Sequence, residues 1–179
     1  MASGERTLKF TIAERGGFGE HARGDTLQRL TAPNVRKAVG RAMKPVPNRA
    51  QGQYALRVES AHLANTFKDS ILPPVFSTPY LILIMENAAL NAIKPYLEPG
   101  ESAVGTRVDV RHLVATPVGR EVVGHAEVTG TDGRKIFFRV WAMDGKEEIG
   151  TGAHERTVVS ISRIIERMAA KYGPTSAGN

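Results

Sequence analysis

Four side chains stand out as candidates for proton transfer or anion binding: Thr78, Glu86, His112 and Arg156. Glu86 is the most unusual of them. It stands in the middle of Pro79-Tyr80-Leu81-Ile82-Leu83-Ile84-Met85-Glu86-Asn87-Ala88-Ala89-Leu90-Asn91-Ala92-Ile93, a segment apolar around nearly its whole helical circumference. An all-round apolar helix is a buried helix. A carboxylate inside one must be paired, hydrogen-bonded or shifted in pKa. Such a group can serve as a nucleophile or general base, or as a structural Glu tied to a backbone group or an Arg. The helix alone leaves both roles open.

Strand alternation sorts the remaining candidates, because successive side chains in a strand point to opposite faces. Between residues 102 and 115, Val108, Val110, His112 and Val114 share one face, while Arg107, Asp109 and Arg111 share the other. The valine face is the one expected against the helix, so His112 is predicted to point toward the layer that holds Glu86, where the two could share a proton. In the following strand Val122, Gly124, Ala126 and Val128 point inward, which places His125 on the polar face with Glu121 and Glu127. The last strand contains Gly150-Thr151-Gly152-Ala153-His154-Glu155-Arg156. Its glycines allow close approach of a backbone or ligand. Arg156 shares a face with His154 and suits an anion or an interface ion pair equally well.

Thr78 precedes Pro79, an arrangement that suits an N-cap with Pro at the first helical position. Eight residues separate Thr78 from Glu86, about 12 Å along a helix axis. Within one helix they cannot touch. A site that uses both joins two copies across a two-fold interface or is spanned by its substrate. Free N–H groups at the helix start are natural donors to an oxyanion.

The elements that must hold these residues follow from periodicity and turn signals. Tyr54 to Val58 alternates as a strand, with a continuation past Ala61 conceivable. Pro73-Pro74 breaks the chain. A helix runs from about Thr78 to Tyr96 and closes at Glu98-Pro99-Gly100. Four strands are predicted at 102–115, 119–130, 134–144 and 147–161, the last three joined through Asp132-Gly133 and Asp144-Gly145, which are hairpin signals. Consecutive hairpins predict an antiparallel meander, and Arg163 to Tyr172 a short C-terminal helix. One long buried helix with a curved antiparallel sheet around it is an α+β layout.

The chain of 179 residues carries a net charge of +6. All of that excess lies in residues 1–50, which hold ten Lys/Arg against four Asp/Glu, whereas residues 51–179 hold fourteen of each. Residues 1–50 are therefore read as a basic, weakly ordered extension, and 51–179 as the folded domain. A nucleic-acid or membrane arm is one reading of such a basic segment, but no aromatic interleaving or sustained amphipathic stretch supports it. There is no Cys, hence no disulfide framework and no thiolate nucleophile or ligand. The longest uncharged apolar run, Ile71 to Met85, is broken by three prolines and is too short to span a bilayer. No signal-like apolar region opens the sequence, so the expectation is a cytoplasmic protein.

The ordered set Val75-Phe76-Ser77-Thr78-Pro79-Tyr80, Leu83-Ile84-Met85-Glu86-Asn87, Pro95-Tyr96-Leu97-Glu98-Pro99-Gly100-Glu101, Gly105-Thr106, Val110-Arg111-His112, Ala115-Thr116-Pro117, Gly119 and Glu148-Ile149-Gly150-Thr151-Gly152-Ala153-His154-Glu155-Arg156 resembles the hot-dog-fold thioesterases of the fluoroacetyl-CoA thioesterase type. The resemblance covers roughly residues 70–160. It implies a long helix wrapped by an antiparallel sheet, two protomers pairing their sheets as a homodimer, and sites near the interface. It implies an acyl-CoA substrate, with neither a metal nor a separate cofactor. By motif position it assigns the catalytic Thr, Glu and His to Thr78, Glu86 and His112, an active-site Gly to Gly105 and a substrate-side Arg to Arg156. Glu86 then attacks the thioester carbonyl or activates a water, His112 carries the proton, and Thr78 positions the carbonyl. Leu72 stands where a fluoroacetyl-selective member has an aromatic lid, and Pro79 where it has Gly, so that member's narrow substrate choice does not carry over. Leu72, Phe76, Tyr80 and Trp141 are candidates to line an acyl pocket. Two other readings are a non-catalytic acyl-CoA or small-ligand binding protein and a hot-dog hydratase, though the Asp/His hydratase motif is missing.

Overall fold

The computed structural model describes residues 43–173. The basic extension falls, up to residue 42, outside the described residues, as does His21. The packed domain begins before residue 51. Val46 is buried in the core, and the Arg49 N–H donates to Val128 O at 2.8 Å.

The elements are β1 (Gln51–Arg57), a short helix α1 (Ala64–Phe67), the long helix α2 (Thr78–Ile93), β2 (Glu101–His112), β3 (Glu121–Asp132), β4 (Lys135–Asp144), β5 (Glu147–Ser160) and a C-terminal helix α3 (Ile161–Tyr172). All strand pairs are antiparallel, in the spatial order β1-β3-β4-β5-β2. The sheet curls around α2 as a half-barrel, the α+β arrangement expected from the sequence.

Three details depart from the sequence expectations. β1 does not continue past Ala61, because Ser60–His62 turns as a 3-10 helix. The helix ends at Ile93 and tightens into a 3-10 turn over Lys94–Tyr96, since Pro95 has no N–H to give to the preceding turn. The sheet is also not a simple meander. β3, β4 and β5 are joined by two-residue turns with Gly133 at φ 57 and Gly145 at φ 60, where only Gly is unstrained. The segment 113–120 is too long for a hairpin, so β2 crosses over and pairs with β5 instead of β3. β2 thereby becomes an edge strand twelve residues long.

Helix α2 supplies the core. Leu81, Ile84, Met85, Ala88, Ala89, Ala92 and Ile93 are buried, a stripe at the i, i+3, i+4, i+7 spacing of one helix face. Each fully buried Leu, Ile or Met contributes about 1.5–3 kcal/mol of transfer free energy. The helix backbone presses onto the sheet at two glycines. A Cβ on Gly52 would collide with the Ala88 carbonyl, and one on Gly124 would lie 2.6 Å from the Ile84 carbonyl carbon.

The expectation that α2 is buried all round does not hold. The opposite stripe stays open: Pro79 and Leu83 are exposed, and Ile82, Glu86, Asn87 and Leu90 are only partly covered. A single half-barrel sheet covers one side of a helix, and the apolar residues on the other side await a second surface.

Candidate active site

The open stripe of α2 forms the floor of a cleft of about 380 Å³, lined by Pro79, Ile82, Leu83, Glu86, Asn87, Leu90 and Arg156. Glu86 is not the enclosed carboxylate that the sequence implies. Its side chain is 37% exposed and faces this cleft.

Around Glu86 the sheet contributes three groups. Gly105 on β2 faces the carboxylate so closely that an added Cβ would collide with Oε1. His154 and Arg156 on β5 present Nε2 and Nη1 at 3.7 and 3.8 Å from Oε1. Arg156 is buried and donates from Nη2 to Ala103 O at 2.6 Å and from Nη1 to Glu86 O at 3.3 Å. The guanidinium thus ties β2 to α2 beside the carboxylate.

The structure explains why Gly105 carries no signal in the alternation. Between Gly105 and Arg107 the β2–β5 register slips by one residue. Thr106 is the extra residue of a bulge. Ala103 and Gly105 face inward before it, and Val108, Val110 and His112 face inward after it, opposite His154, Gly152 and Gly150. A pattern read with an unbroken period of two puts Gly105 on the wrong face.

His112 is on the helix-facing side, as expected, yet its partner is not Glu86. Nδ1 lies 3.1 Å from Thr78 Oγ1 at the start of α2, and Nε2 is buried with no hydrogen-bond partner among the described residues. The imidazole that approaches Glu86 is His154, whose shared face with Arg156 was the available clue. Burial pushes the pKa of His112 below the usual value, opposed in part by the Val114 backbone. Burial also lowers His154, with the Arg107 carbonyl opposing and the Arg156 charge adding to the effect. Both rings are thereby biased toward the neutral form, which has one donor and one acceptor nitrogen.

The site residues therefore fall into two groups on one chain, Thr78 with His112, and Glu86 with Gly105, His154 and Arg156. The donors at the helix start are also fewer than expected. Thr78 is the first helical residue after the N-cap Ser77, and Pro79 has no N–H. Tyr80 and Leu81 both donate to Ser77 O, which leaves the Thr78 N–H as the donor without a partner among the described residues.

The other candidates have structural partners. Phe76 is wholly buried in the core, and neither it nor Leu72 lines the cleft. Tyr80 packs on His62 and Phe67, and Trp141 stacks on His125 on the outer sheet face. His62 Nδ1 accepts from the Glu59 N–H. The exposed Arg107 is paired with Asp109 and Glu155, and Arg134 with Glu101. Among the described residues no three His, Asp or Glu side chains cluster as a metal site, and no helix is long and apolar enough to cross a membrane.

A long helix in a curled antiparallel sheet, with a cleft-facing carboxylate beside a glycine, is the layout of a hot-dog thioester hydrolase. Comparison with known proteins agrees. The family model described as fluoroacetyl-CoA-specific thioesterase matches residues 58–162. The fluoroacetyl-CoA thioesterase of Streptantibioticus cattleyicolor is 42% identical over 99 residues, 55% of this chain and 71% of that protein. A solved structure of the fluoroacetyl-CoA thioesterase FlK superposes with a TM-score of 0.67 at 32% identity, covering 72% of this chain and 98% of that one. A thioesterase-superfamily member from Thermus thermophilus gives a TM-score of 0.67 at 25% identity, covering 73% of this chain and 98% of that one. The chain belongs to the fluoroacetyl-CoA-specific thioesterase family and is a thioester hydrolase.

Proposed function

We propose that this protein hydrolyses an acyl-CoA thioester to the free acid and CoA, at a site assembled from two copies of the chain. Glu86 of one copy would supply the nucleophile or general base. Thr78 and His112 of the other would position the carbonyl and carry the proton to the leaving thiolate. The Thr78 N–H would donate to the oxyanion.

The observation that carries this reading is the separation of the site into two halves. Thr78 and His112 are hydrogen-bonded at one end of α2, and Glu86 lies about two turns further along, roughly 12 Å away. No rotation of side chains within one chain closes that gap.

The outer edge of β2, unpaired among the described residues, supports the same reading. In an antiparallel two-fold pairing of β2 with its copy, each strand's Gly105 end meets the other's His112 end. A pairing centred between Val108 and Asp109 would set Gly105 opposite His112 of the second copy. Val104 and Val108, each 40% exposed on this strand, would be partly covered by it. An exposed edge of this length is otherwise an aggregation hazard.

The test is release of free thiol from a panel of acyl-CoAs of increasing chain length, with the wild type beside Glu86→Gln. Turnover of at least one substrate, with a loss of about 10³-fold or more in the variant, supports the assignment. Equal turnover by Glu86→Gln removes Glu86 from the chemistry.

A further inference from the structure

Two independent contacts fix the protonation of His154, and together they say what the ring is for. His154 is 2% exposed. Its Nδ1 is 2.8 Å from Arg107 O, and a carbonyl only accepts, so the proton sits on Nδ1. Its Nε2 is 3.2 Å from Arg156 Nη1, and a guanidinium only donates, so Nε2 must present its lone pair. Both contacts require the same neutral tautomer.

The contacts of Arg156 show the consequence. Its Nη2 is held by Ala103 O at 2.6 Å, while its Nε is buried with no partner among the described residues. Nη1, the nitrogen nearest the Glu86 carboxylate, has Glu86 O at 3.3 Å and His154 Nε2 at 3.2 Å as its acceptors. The Ala103 contact anchors one end of the guanidinium, and His154 sets the direction of the other.

We propose that His154 is a positioning residue for the hydrolysis: its Nε2 lone pair aims Arg156 Nη1 at the carboxylate of Glu86. His154 acts through Arg156 and does not itself take or give a proton. This rests on the thioesterase reading above, in which Glu86 reacts. The neighbours agree with a ring kept neutral. Phe138 of β4 packs against it, its ring centroid 5.9 Å away, and the Arg156 charge and burial both disfavour a second proton. The nearby carboxylates, Glu86 and Glu155, pull the other way but are outweighed.

The test is a double-mutant cycle in thiol release from an acyl-CoA, with kcat and KM measured separately. His154→Phe keeps a planar aromatic ring, somewhat larger than the imidazole, but has no acceptor. It should lower kcat about tenfold to a hundredfold and leave KM within about twofold. His154→Gln, whose amide oxygen can again accept from Nη1, should recover most of that loss. In an Arg156→Gln background, His154→Phe should cost less than about threefold, because the group it orients is gone.

Wild-type kcat in His154→Phe overturns the proposal. So does a Gln variant no better than Phe, or an undiminished loss in the Arg156→Gln background. Should His154→Phe not fold, His154→Leu takes its place in the same cycle. Failure of the thioesterase reading looks different: the wild type then releases no thiol, or Glu86→Gln matches it.

Discussion

Replacing Gly105 by Ala adds one methyl group where β2 meets the Glu86 carboxylate. The new Cβ would collide with Oε1, where real Cβ atoms do not come within 3.0 Å of a neighbour and ordinary contact begins at 3.4 Å. The carboxylate must therefore shift by about 1 Å, while His154 Cε1, at 3.2 Å, gives by a few tenths. The shift is cheap for the fold. Glu86 is 37% exposed and can swing into the open cleft, at an off-rotamer cost of about 0.5–1.5 kcal/mol. Gly105 is not among the positive-φ residues, so Ala fits its backbone, and loss of unfolded-state freedom returns about 0.4–1 kcal/mol. Stability should stay within about 1 kcal/mol of wild type. Catalysis should not. A displacement of about 1 Å costs on the order of a hundredfold, or about 2.7 kcal/mol in activation free energy. The assay is thiol release over a range of acyl-CoA concentrations, with a thermal melt of the same sample. Gly130→Ala, whose Cβ meets only Phe137 Cδ2 at 3.9 Å, is the control. A folded Gly105→Ala protein with kcat within about threefold of wild type would refute the claim that the carboxylate works from the position seen here.

Three further outcomes follow from the same geometry. Gly152→Ala should behave in the opposite way, because its Cβ would run into the Asp109 carbonyl and lie 2.7 Å from Val110 Cα, backbone atoms that cannot swing aside. The expected loss is about 1–3 kcal/mol or more, a fall of several degrees in Tm; an unchanged melt would mean that the β2–β5 spacing is softer than described. Acidification should destabilise the fold. His112 and His154 have folded pKa values below the usual 6.5, so between that value and their folded pKa the unfolded chain binds more protons. Their contribution is complete above 6.5 and is lost as pH falls through the folded values. Tm should decline from pH 7.5 to 5, and less steeply in His154→Gln; a flat profile contradicts the burial of these rings. Val108→Asp, on the exposed β2 edge, should shift a dimer toward monomer in sedimentation and reduce turnover with it; an active monomer would argue that each site is built within one chain.

Much of this was legible in the residues because the hydrophobic periods are long and clean. Turn chemistry at Asp132-Gly133 and Asp144-Gly145 marked the hairpins, and the inward set Val122, Gly124, Ala126 and Val128 was read correctly from alternation. Pairing was not legible. That β2 joins β5 is a long-range choice made by the half-barrel closing around α2, and no local signal in β2 encodes it. The bulge at Thr106 hid Gly105 for the same reason, since one extra residue inverts the face of everything before it. Composition alone misled about Glu86. An apolar circumference predicts burial, but it does not say whether the cover comes from the same chain. His154 was visible on the Arg156 face, and its approach to Glu86 depended on how far α2 sits from β5, which only packing decides.

The central claim is that Glu86 of one copy works with Thr78 and His112 of another. Differently tagged Thr78→Ala and Glu86→Gln chains, co-expressed and purified as verified heterodimers, test it most directly by thiol release from acyl-CoA. One of the two sites in each heterodimer would then be intact, and activity should return to about half that of the wild-type dimer, far above either variant alone. Heterodimers no more active than the two variants separately would contradict the account.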